Sequence, residues 1–431
     1  MSGAVTSEPG IRVSHLDNGI AVVSEALPGV KTASVGVWVA AGSRHEHDDE
    51  HGLSHLIEHM AFKGTTRRSA RRIAEDIENV GGEINAATST EFTSYTARVL
   101  GEDTGLAIDV LGDILTGSLF DKVELAREVN VILQEYASVE DSPDDVVMDA
   151  FMEHAFAGQA IGRPILGRPE TIRSFDAAKI QRFMEREYTP ARMVVAAAGA
   201  VEHEAVVASA AAALGGIPAR DAPTLGPASY TGGEKRLRRK LEQANLVIGL
   251  PGVSFRDPAY FALHMFAQAL GGGLTSRLWY EVRETRGLAY AIDAFHWPFT
   301  DSGLFGIGAG TSREDLAELV DVVTATARAT TEGLEADELA RGKAQLKVSL
   351  LAALESPAGR IERAARQLLA WGRIIPAEET VAHVDAVTLD QVREAGRRTL
   401  AGPVTVAAIG PIRTLQSTAR IGAGFQADPR P

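Results

Sequence analysis

The chain has 431 residues, of which 45% are hydrophobic and 23% charged, so it can bury more than one core and is not a disordered chain. A formal net charge of −14 argues against a nucleic-acid partner, because a phosphate backbone selects a basic surface. There are no cysteines, which excludes disulfides and leaves His, Asp and Glu as the ligands for any metal.

The N-terminal stretch has no basic region followed by an apolar one, and the most apolar strip is Met193–Val201. A membrane-spanning helix needs about 20 apolar residues. We therefore expect a cytoplasmic protein without a signal peptide or a membrane span. The acidic clusters "HEHDDEH" and "EYASVEDSPDD" are either a solvated surface or the lining of a cavity that attracts basic substrates.

The first half of the chain predicts a mixture of strands and helices. Alternating apolar residues indicate strands in "GIAVVSEAL" and "KTASVGVWVAAG", and a helix follows from about Gly52 to Phe62. Next come a helix in "RRSARRIAEDIENVG" and two strands in "EINAATSTEFTSYTARVL". Helices in "EDTGLAIDVLGDIL" and "DKVELAREVNVILQEYASVE" precede a buried strand in "RMVVAAAGAV".

The second half partly repeats this order after a stretch rich in Gly and Pro. We predict an N-terminal domain over residues 1–215, a linker over 216–233 and a C-terminal domain over 234–431. The tetrapeptide "ELAR" opens a long helix at Glu124–Arg127 and again at Glu338–Arg341. Together with the matching element order it indicates an internal duplication into two α+β domains.

The motif "HLIEH" holds the candidate chemistry. His55 and His59 are four positions apart and share one helix face, with Glu58 beside them. The order H-x-x-E-H is the inverted zinc-peptidase signature, although a pattern this short also occurs by chance on polar helix faces. A catalytic zinc would need a third protein ligand and an open position for water.

Glu128 and Glu135 are candidates for that third ligand. They lie seven positions apart and therefore on one face of the helix "VELAREVNVILQEYASVE". Spacing alone does not choose between them, and no pattern places this helix beside His55.

The stretches "GLSHLIEHMAFKGT" and "GGEINAATSTEFTSYTARVL", followed by the helix with Glu128 and Glu135, resemble the pitrilysin family of inverted-motif zinc peptidases. The mitochondrial processing peptidase β-subunit and its bacterial relatives are the most similar branch. In this family a glutamate follows the second histidine at a nearly fixed distance, and Glu135 follows His59 by 76 positions. The resemblance implies one zinc per chain on His55, His59 and Glu135, with Glu128 supporting a ligand from outside.

Further blocks extend the resemblance over most of the chain. They are Gly158–Ile172, Tyr188–Val201 and Gly271–Tyr290. The last block carries Arg283 and Tyr290, which match the Arg/Tyr pair that the family's C-terminal domain brings to the active site. From the residues alone these two would be an ordinary surface Arg and a core-edge Tyr.

The two halves differ in their metal ligands. Aligned on "ELAR", Glu128 corresponds to Gly342 and Glu135 to Ser349, and the second half has no H-x-x-E-H. This asymmetry is typical of a catalytic domain paired with a homologous substrate-holding domain. The fold we expect is α+β, with two homologous domains facing each other, each a mainly antiparallel sheet covered by helices.

The resemblance implies a metalloendopeptidase that hydrolyses extended or unfolded peptides. Glu58 would be the general base on the zinc-bound water, and Tyr290 with Arg283 would stabilise the oxyanion or hold the peptide backbone. The strand containing Asn85 and Ala86 is either a docking edge for the peptide or a plain core strand.

Family members of this length work as two-chain assemblies with a closed chamber, which implies a homodimer here. An acidic chamber would prefer Arg-containing substrates. The alternative is a non-catalytic structural or regulatory subunit, against which the intact motif argues.

Overall fold

The computed structural model describes residues 10–426. Its strands are β1 (Ile11–His15), β2 (Ala21–Ala26), β3 (Thr32–Val39), β4 (Glu83–Thr88), β5 (Thr93–Leu100), β6 (Met193–Gly199), β7 (Gly233–Leu237), β8 (Ala244–Pro251), β9 (Ala289–Pro298), β10 (Gly303–Thr311) and β11 (Thr405–Ile409). Its α-helices are α1 (Leu53–Ala61), α2 (Ala70–Glu78), α3 (Thr104–Thr116), α4 (Lys122–Glu140), α5 (Pro143–Ala155), α6 (Pro169–Ile172), α7 (Ala177–Glu187), α8 (His203–Leu214), α9 (Tyr260–Gly271), α10 (Leu316–Gly333), α11 (Ala336–Ala353), α12 (Pro357–Trp371), α13 (Ala377–Ala386), α14 (Leu389–Leu400) and α15 (Thr418–Gln426). A π-helical segment spans Trp279–Thr285.

The described chain forms two compact units that exchange segments. Unit 1 takes the described residues up to Tyr136, residues 165–225 and residues 349–380. Unit 2 takes residues 137–164, residues 226–348 and the described residues from Val381 onward. Helix α5 thus belongs to unit 2 and α12 to unit 1, although each comes from the other half of the chain. The boundaries of these two units differ from the predicted domain limits at residues 215 and 234, and those limits stay a prediction.

Unit 1 is built on a six-stranded sheet in the order β1-β2-β6-β3-β5-β4. All neighbours are antiparallel except β2 and β6. One face packs Val35, Val37 and Val195 into a core shared with α1, α3 and α8. The other face packs Trp38 against Ile361 of α12. Because both faces are covered, β6 is buried along its whole length, which explains its continuous apolar sequence.

Unit 2 repeats this design with five strands in the order β7-β11-β8-β10-β9. Only β7 and β11 are parallel. One face packs Ile248 and Phe305 against α9, α10 and α14. The other face packs Val247 and Ala407 against Phe151 of α5. Both units are therefore mainly antiparallel sheets covered by helices, as the sequence predicts.

The two sheets confirm the internal duplication strand by strand. The order β2-β6-β3-β5-β4 in unit 1 matches β7-β11-β8-β10-β9 in unit 2, with the same pattern of parallel and antiparallel pairs. Gly199 at the end of β6 and Gly410 after β11 have φ angles of 115° and 113°. A Cβ would overlap the carbonyl oxygen of Thr32 in β3 at Gly199, and that of Gln243 just before β8 at Gly410, so both repeats need glycine there.

The predicted elements of both halves are present, with some changes at their ends. The helix expected in "RRSARRIAEDIENVG" begins only at Ala70, because the Ser69 hydroxyl caps it by accepting the Arg72 N–H at 3.2 Å. The expected linker over 216–233 contains no helix or strand until Gly233 begins β7. Over residues 10–426 we find no helix with the length and apolar character needed to cross a bilayer.

Candidate metal centre

The helix that carries the histidines has an unusual beginning. Gly52 precedes α1 with a φ of 95° and has no side chain to cap the helix. The Glu46 carboxylate does so instead, accepting the N–H of Gly52 at 2.9 Å and of Ser54 at 2.7 Å. A buried acid thus satisfies free amides at the positive end of the helix and fixes its first turn.

Other residues of the stretch "HEHDDEH" are also engaged within unit 1. Glu50 accepts two hydrogen bonds from Arg186, at 2.6 and 2.9 Å, and Asp49 pairs with Lys179 at 2.9 Å. Burial lowers the pKa of His45 to about 3, helped by the charges of nearby arginines, so this ring is neutral. These contacts fix the loop that leads into α1. The two alternatives for this stretch, a solvated surface or a cavity lining, stay predictions.

His55 and His59 lie one turn apart on α1, with their ring centroids 4.7 Å from each other. The Glu135 Oε2 atom of α4 lies 3.7 Å from the Nε2 atom of each histidine. One ligand atom from each of the three residues lies within 4.8 Å of the other two. Two imidazole nitrogens and a carboxylate oxygen therefore converge on one point.

This donor set fits zinc. His55 is only 7% exposed, and burial lowers its pKa to about 4, with the neighbouring His59 adding to the effect. The ring is therefore neutral at pH 7 and has a lone pair to offer a metal. Its Nε2 atom, not the buried Nδ1, faces the Glu135 carboxylate, so the nitrogen on the side of the cluster is the one that could bind the metal. Two histidines and one glutamate are a known catalytic zinc set that leaves a position for water.

Glu128 lies on the opposite side of His59 from Glu135. Its Oε2 atom accepts a hydrogen bond of 3.0 Å from Nδ1 of His59, and its Oε1 atom lies 2.8 Å from the Lys63 ammonium. Burial alone would raise the pKa of Glu128, but these two partners outweigh burial and lower it. An ionised Glu128 holds the Nδ1 proton of His59 and so directs the Nε2 lone pair toward the cluster. Lys63 was missed from the sequence, although it lies one turn after His59.

Glu58 lies partly exposed on α1 and makes no hydrogen bond or ion pair within the described residues. Two buried tyrosines, Tyr95 and Tyr188, share a hydrogen bond of 2.9 Å between their hydroxyls. Burial raises the pKa of Tyr188 to about 12, and the negative charge of Glu58 adds to this effect. The Glu58 carboxylate is thus unpaired within the described residues. It lies close enough to Tyr188 for its negative charge to raise the pKa of that tyrosine. No pattern in the sequence singles out this tyrosine pair.

The other predicted site residues lie in both units. Asn85 and Ala86 belong to β4, which forms an edge of the sheet of unit 1. Arg283 and Tyr290 belong to unit 2. There the Arg283 guanidinium lies 4.6 Å from the centre of the Tyr290 ring, which is 77% exposed. The structure thus brings His55, His59, Glu128 and Glu135 together, and it pairs Arg283 with Tyr290.

Two family models match the chain over most of its length. The one described as Insulinase (Peptidase family M16) matches residues 21–169, and the one described as Peptidase M16 inactive domain matches residues 174–346. An uncharacterized zinc protease of Streptomyces coelicolor is 38% identical over 95% of this chain and 91% of its own length. An uncharacterized zinc protease of Bacillus subtilis is 36% identical over 93% and 98%. A probable mitochondrial-processing peptidase subunit beta of Arabidopsis thaliana is 37% identical over 95% and 80%.

Solved structures share the fold at lower identity. A chain of Complex III2 from Candida albicans with Inz-5 bound has a TM-score of 0.85 at 22% identity, covering 96% of this chain and 100% of that one. The peptidase M16 inactive domain from Pseudomonas fluorescens also has a TM-score of 0.85, at 21% identity over 93% and 98%. These likenesses establish the two-domain α+β fold. On the strength of the family models and the zinc protease relatives, the chain belongs to peptidase family M16, the pitrilysin family of zinc peptidases.

Proposed function

We propose that the protein is a zinc-dependent endopeptidase that cleaves extended or unfolded peptides. The observation that carries this proposal is the convergence of His55 Nε2, His59 Nε2 and Glu135 Oε2 in unit 1. The unpaired Glu58 on the same helix supplies the group that such a centre needs to activate water.

One zinc per chain would be held by His55, His59 and Glu135. When bound there, zinc polarises the scissile carbonyl and lowers the pKa of water to about 7. Glu58 takes the proton from the attacking water and later delivers a proton to the leaving amine. Glu128 orients His59 through Nδ1, and Lys63 holds Glu128 in place.

The peptide would bind as an added strand at the edge of unit 1. Strand β4 pairs with β5 on one side, and its other side has no strand partner among the described residues. An extended peptide can therefore hydrogen-bond to the main chain around Asn85 and Ala86. Arg283 and Tyr290 would hold the peptide backbone or stabilise the oxyanion.

A preference for Arg-containing peptides is supported by charge. The net charge of the chain is −14. On α5, burial raises the pKa of Asp149 to about 6, and the nearby carboxylates of Glu153, Asp145 and Glu140 add to the effect. The raised pKa reflects burial and the proximity of like charges, and a cationic side chain nearby would favour the ionised form of Asp149.

A non-catalytic structural or regulatory role is not favoured, because such a role requires neither the converging ligands nor the unpaired Glu58. The homodimer, the closed chamber and the cytoplasmic location stay predictions.

Chelation and zinc add-back test the proposal. We expect purified protein to cleave a fluorogenic Arg-containing peptide, to lose nearly all activity after dialysis against a chelator, and to recover when one equivalent of zinc is returned. A matched peptide with Gln in place of Arg tests the charge preference separately, and we expect its kcat/KM to be lower. Cleavage that survives complete removal of metal would contradict the proposal, as would a lack of chelator-sensitive cleavage across a varied set of unfolded peptides.

A further inference from the structure

A rare local conformation lies just before the Arg/Tyr pair. Residues Trp279–Thr285 form a π-helix of seven residues between α9 and β9. Such segments are uncommon, are less stable than α-helix, and occur often at functional sites. The first residue of this segment is Trp279, and Arg283 follows four positions later, so the two side chains leave the helix on the same side.

Arg283 makes cation–π contacts with two aromatic rings. The central carbon of its guanidinium lies 4.1 Å from the centre of the Trp279 ring and 4.6 Å from the centre of the Tyr290 ring. Each aromatic face attracts the cation, and two such contacts fix the plane of the group. The two contacts therefore restrict the rotamers that the Arg283 side chain can adopt.

The N–H donors of Arg283 have no hydrogen-bond partner in the described part of the chain. The closest carboxylate oxygen belongs to Glu284, at 4.0 Å from Nε of Arg283, beyond hydrogen-bond length. Arg283 is also only about one-third exposed on its side chain. A guanidinium that packs on two rings and has unbonded N–H groups is prepared to bind an oxygen acceptor.

We propose that Trp279 is a positioning residue that clamps Arg283 against Tyr290, so that the Arg283 N–H edge binds a backbone carbonyl oxygen of the substrate peptide. This inference rests on the proposed function, which assigns the peptide backbone to Arg283 and Tyr290, and it adds the positioning residue Trp279. The π-helical backbone places the indole ring of Trp279 against the Arg283 guanidinium. Without the indole, Arg283 would have to lose rotamer freedom each time a peptide binds.

A double-mutant cycle separates this role from a purely structural one. We expect Trp279→Ala to lower kcat/KM about tenfold, within the range of a partly buried cation–π contact. In the Arg283→Ala background the same change should cost less than about twofold, because Trp279 acts only through Arg283. Trp279→Phe should recover most of the loss. Trp297→Ala, which removes another partly exposed tryptophan of unit 2, is the matched control and should leave kcat/KM unchanged.

An NMR measurement judges the clamp independently of activity. In the free protein, the Nε–H signal assigned by Arg283→Lys should be shifted upfield by the two rings, and the shift should shrink in Trp279→Ala. Equal losses of kcat/KM in both backgrounds, or no loss in either, would overturn the functional part of the proposal. An unshifted Arg283 signal would overturn the clamp itself. If the wild type cleaves no peptide while the shift is present, the proposed function fails and the clamp stands.

Discussion

Glu58→Gln should lower kcat about a thousandfold while zinc content stays near one per chain. The amide keeps the size of the side chain but cannot accept a proton, and general-base catalysis contributes factors of this order. The change should be nearly neutral for the fold, because Glu58 makes no hydrogen bond or ion pair within the described residues. Zinc content by atomic absorption and steady-state cleavage of the fluorogenic peptide measure the two effects.

Glu78→Gln is the matched control for this variant. Glu78 is an exposed glutamate at the end of α2, and its side chain likewise has no partner in the described chain. It should change neither activity nor zinc content. Loss of zinc from Glu58→Gln would mean that Glu58 is a ligand, and full retention of cleavage would mean that another group is the base.

Glu135→Ala should weaken zinc binding at least about a thousandfold and abolish cleavage, because it removes one of the three proposed protein ligands. Glu128→Ala should weaken zinc binding only about 10- to 100-fold, the range expected when the partner of a ligand is lost. Competition with a fluorescent zinc chelator gives both affinities. Thermal unfolding of the metal-free proteins controls for misfolding, and it matters most for Glu128, which is buried beside Lys63.

The reverse order of these two effects would exchange the roles of the glutamates. Equal and severe loss of zinc in both variants would instead mean that both carboxylates contact the metal. Glu135→Gln adds a conservative test, since an amide oxygen is a weaker ligand of similar size. We expect it to behave like Glu135→Ala.

The choice between Glu128 and Glu135 shows what the sequence could not decide from the residues. Helical periodicity places both on one face of α4, but seven residues correspond to about 10.5 Å along the axis. At that distance the two carboxylates meet opposite sides of His59, one at Nδ1 and the other at Nε2. This arrangement depends on the packing of α4 against α1, which helical spacing does not predict. The prediction of Glu135 as the third ligand therefore came from the family resemblance.

The sequence also does not predict which segments from one half of the chain belong to the other unit. An amphipathic helix such as α12 has an apolar face, but its sequence does not tell which sheet that face covers. In the structure, Ile361 and Ala365 of α12 pack on Trp38 and Val194 of unit 1. The strands and the duplication were predictable because alternation and element order are local signals.

Local rules also failed where a partner came from outside the element. Glu46 caps α1, although it lies six residues before Gly52, the position whose side chain normally caps a helix. The contacts of Arg283 with Trp279 and Tyr290 join a π-helix to a residue of the next strand. In both cases the sequence contains the residues but not the backbone path that joins them.

The position of the metal is the most direct test of the proposed chemistry. Crystals of the zinc-loaded protein, measured on both sides of the zinc absorption edge, give an anomalous difference map that locates the ion. We predict one peak per chain, about 2.0–2.2 Å from His55 Nε2, His59 Nε2 and a Glu135 carboxylate oxygen. A peak bonded to Glu128 in place of Glu135, or stoichiometric zinc bound away from His55 and His59, would contradict it.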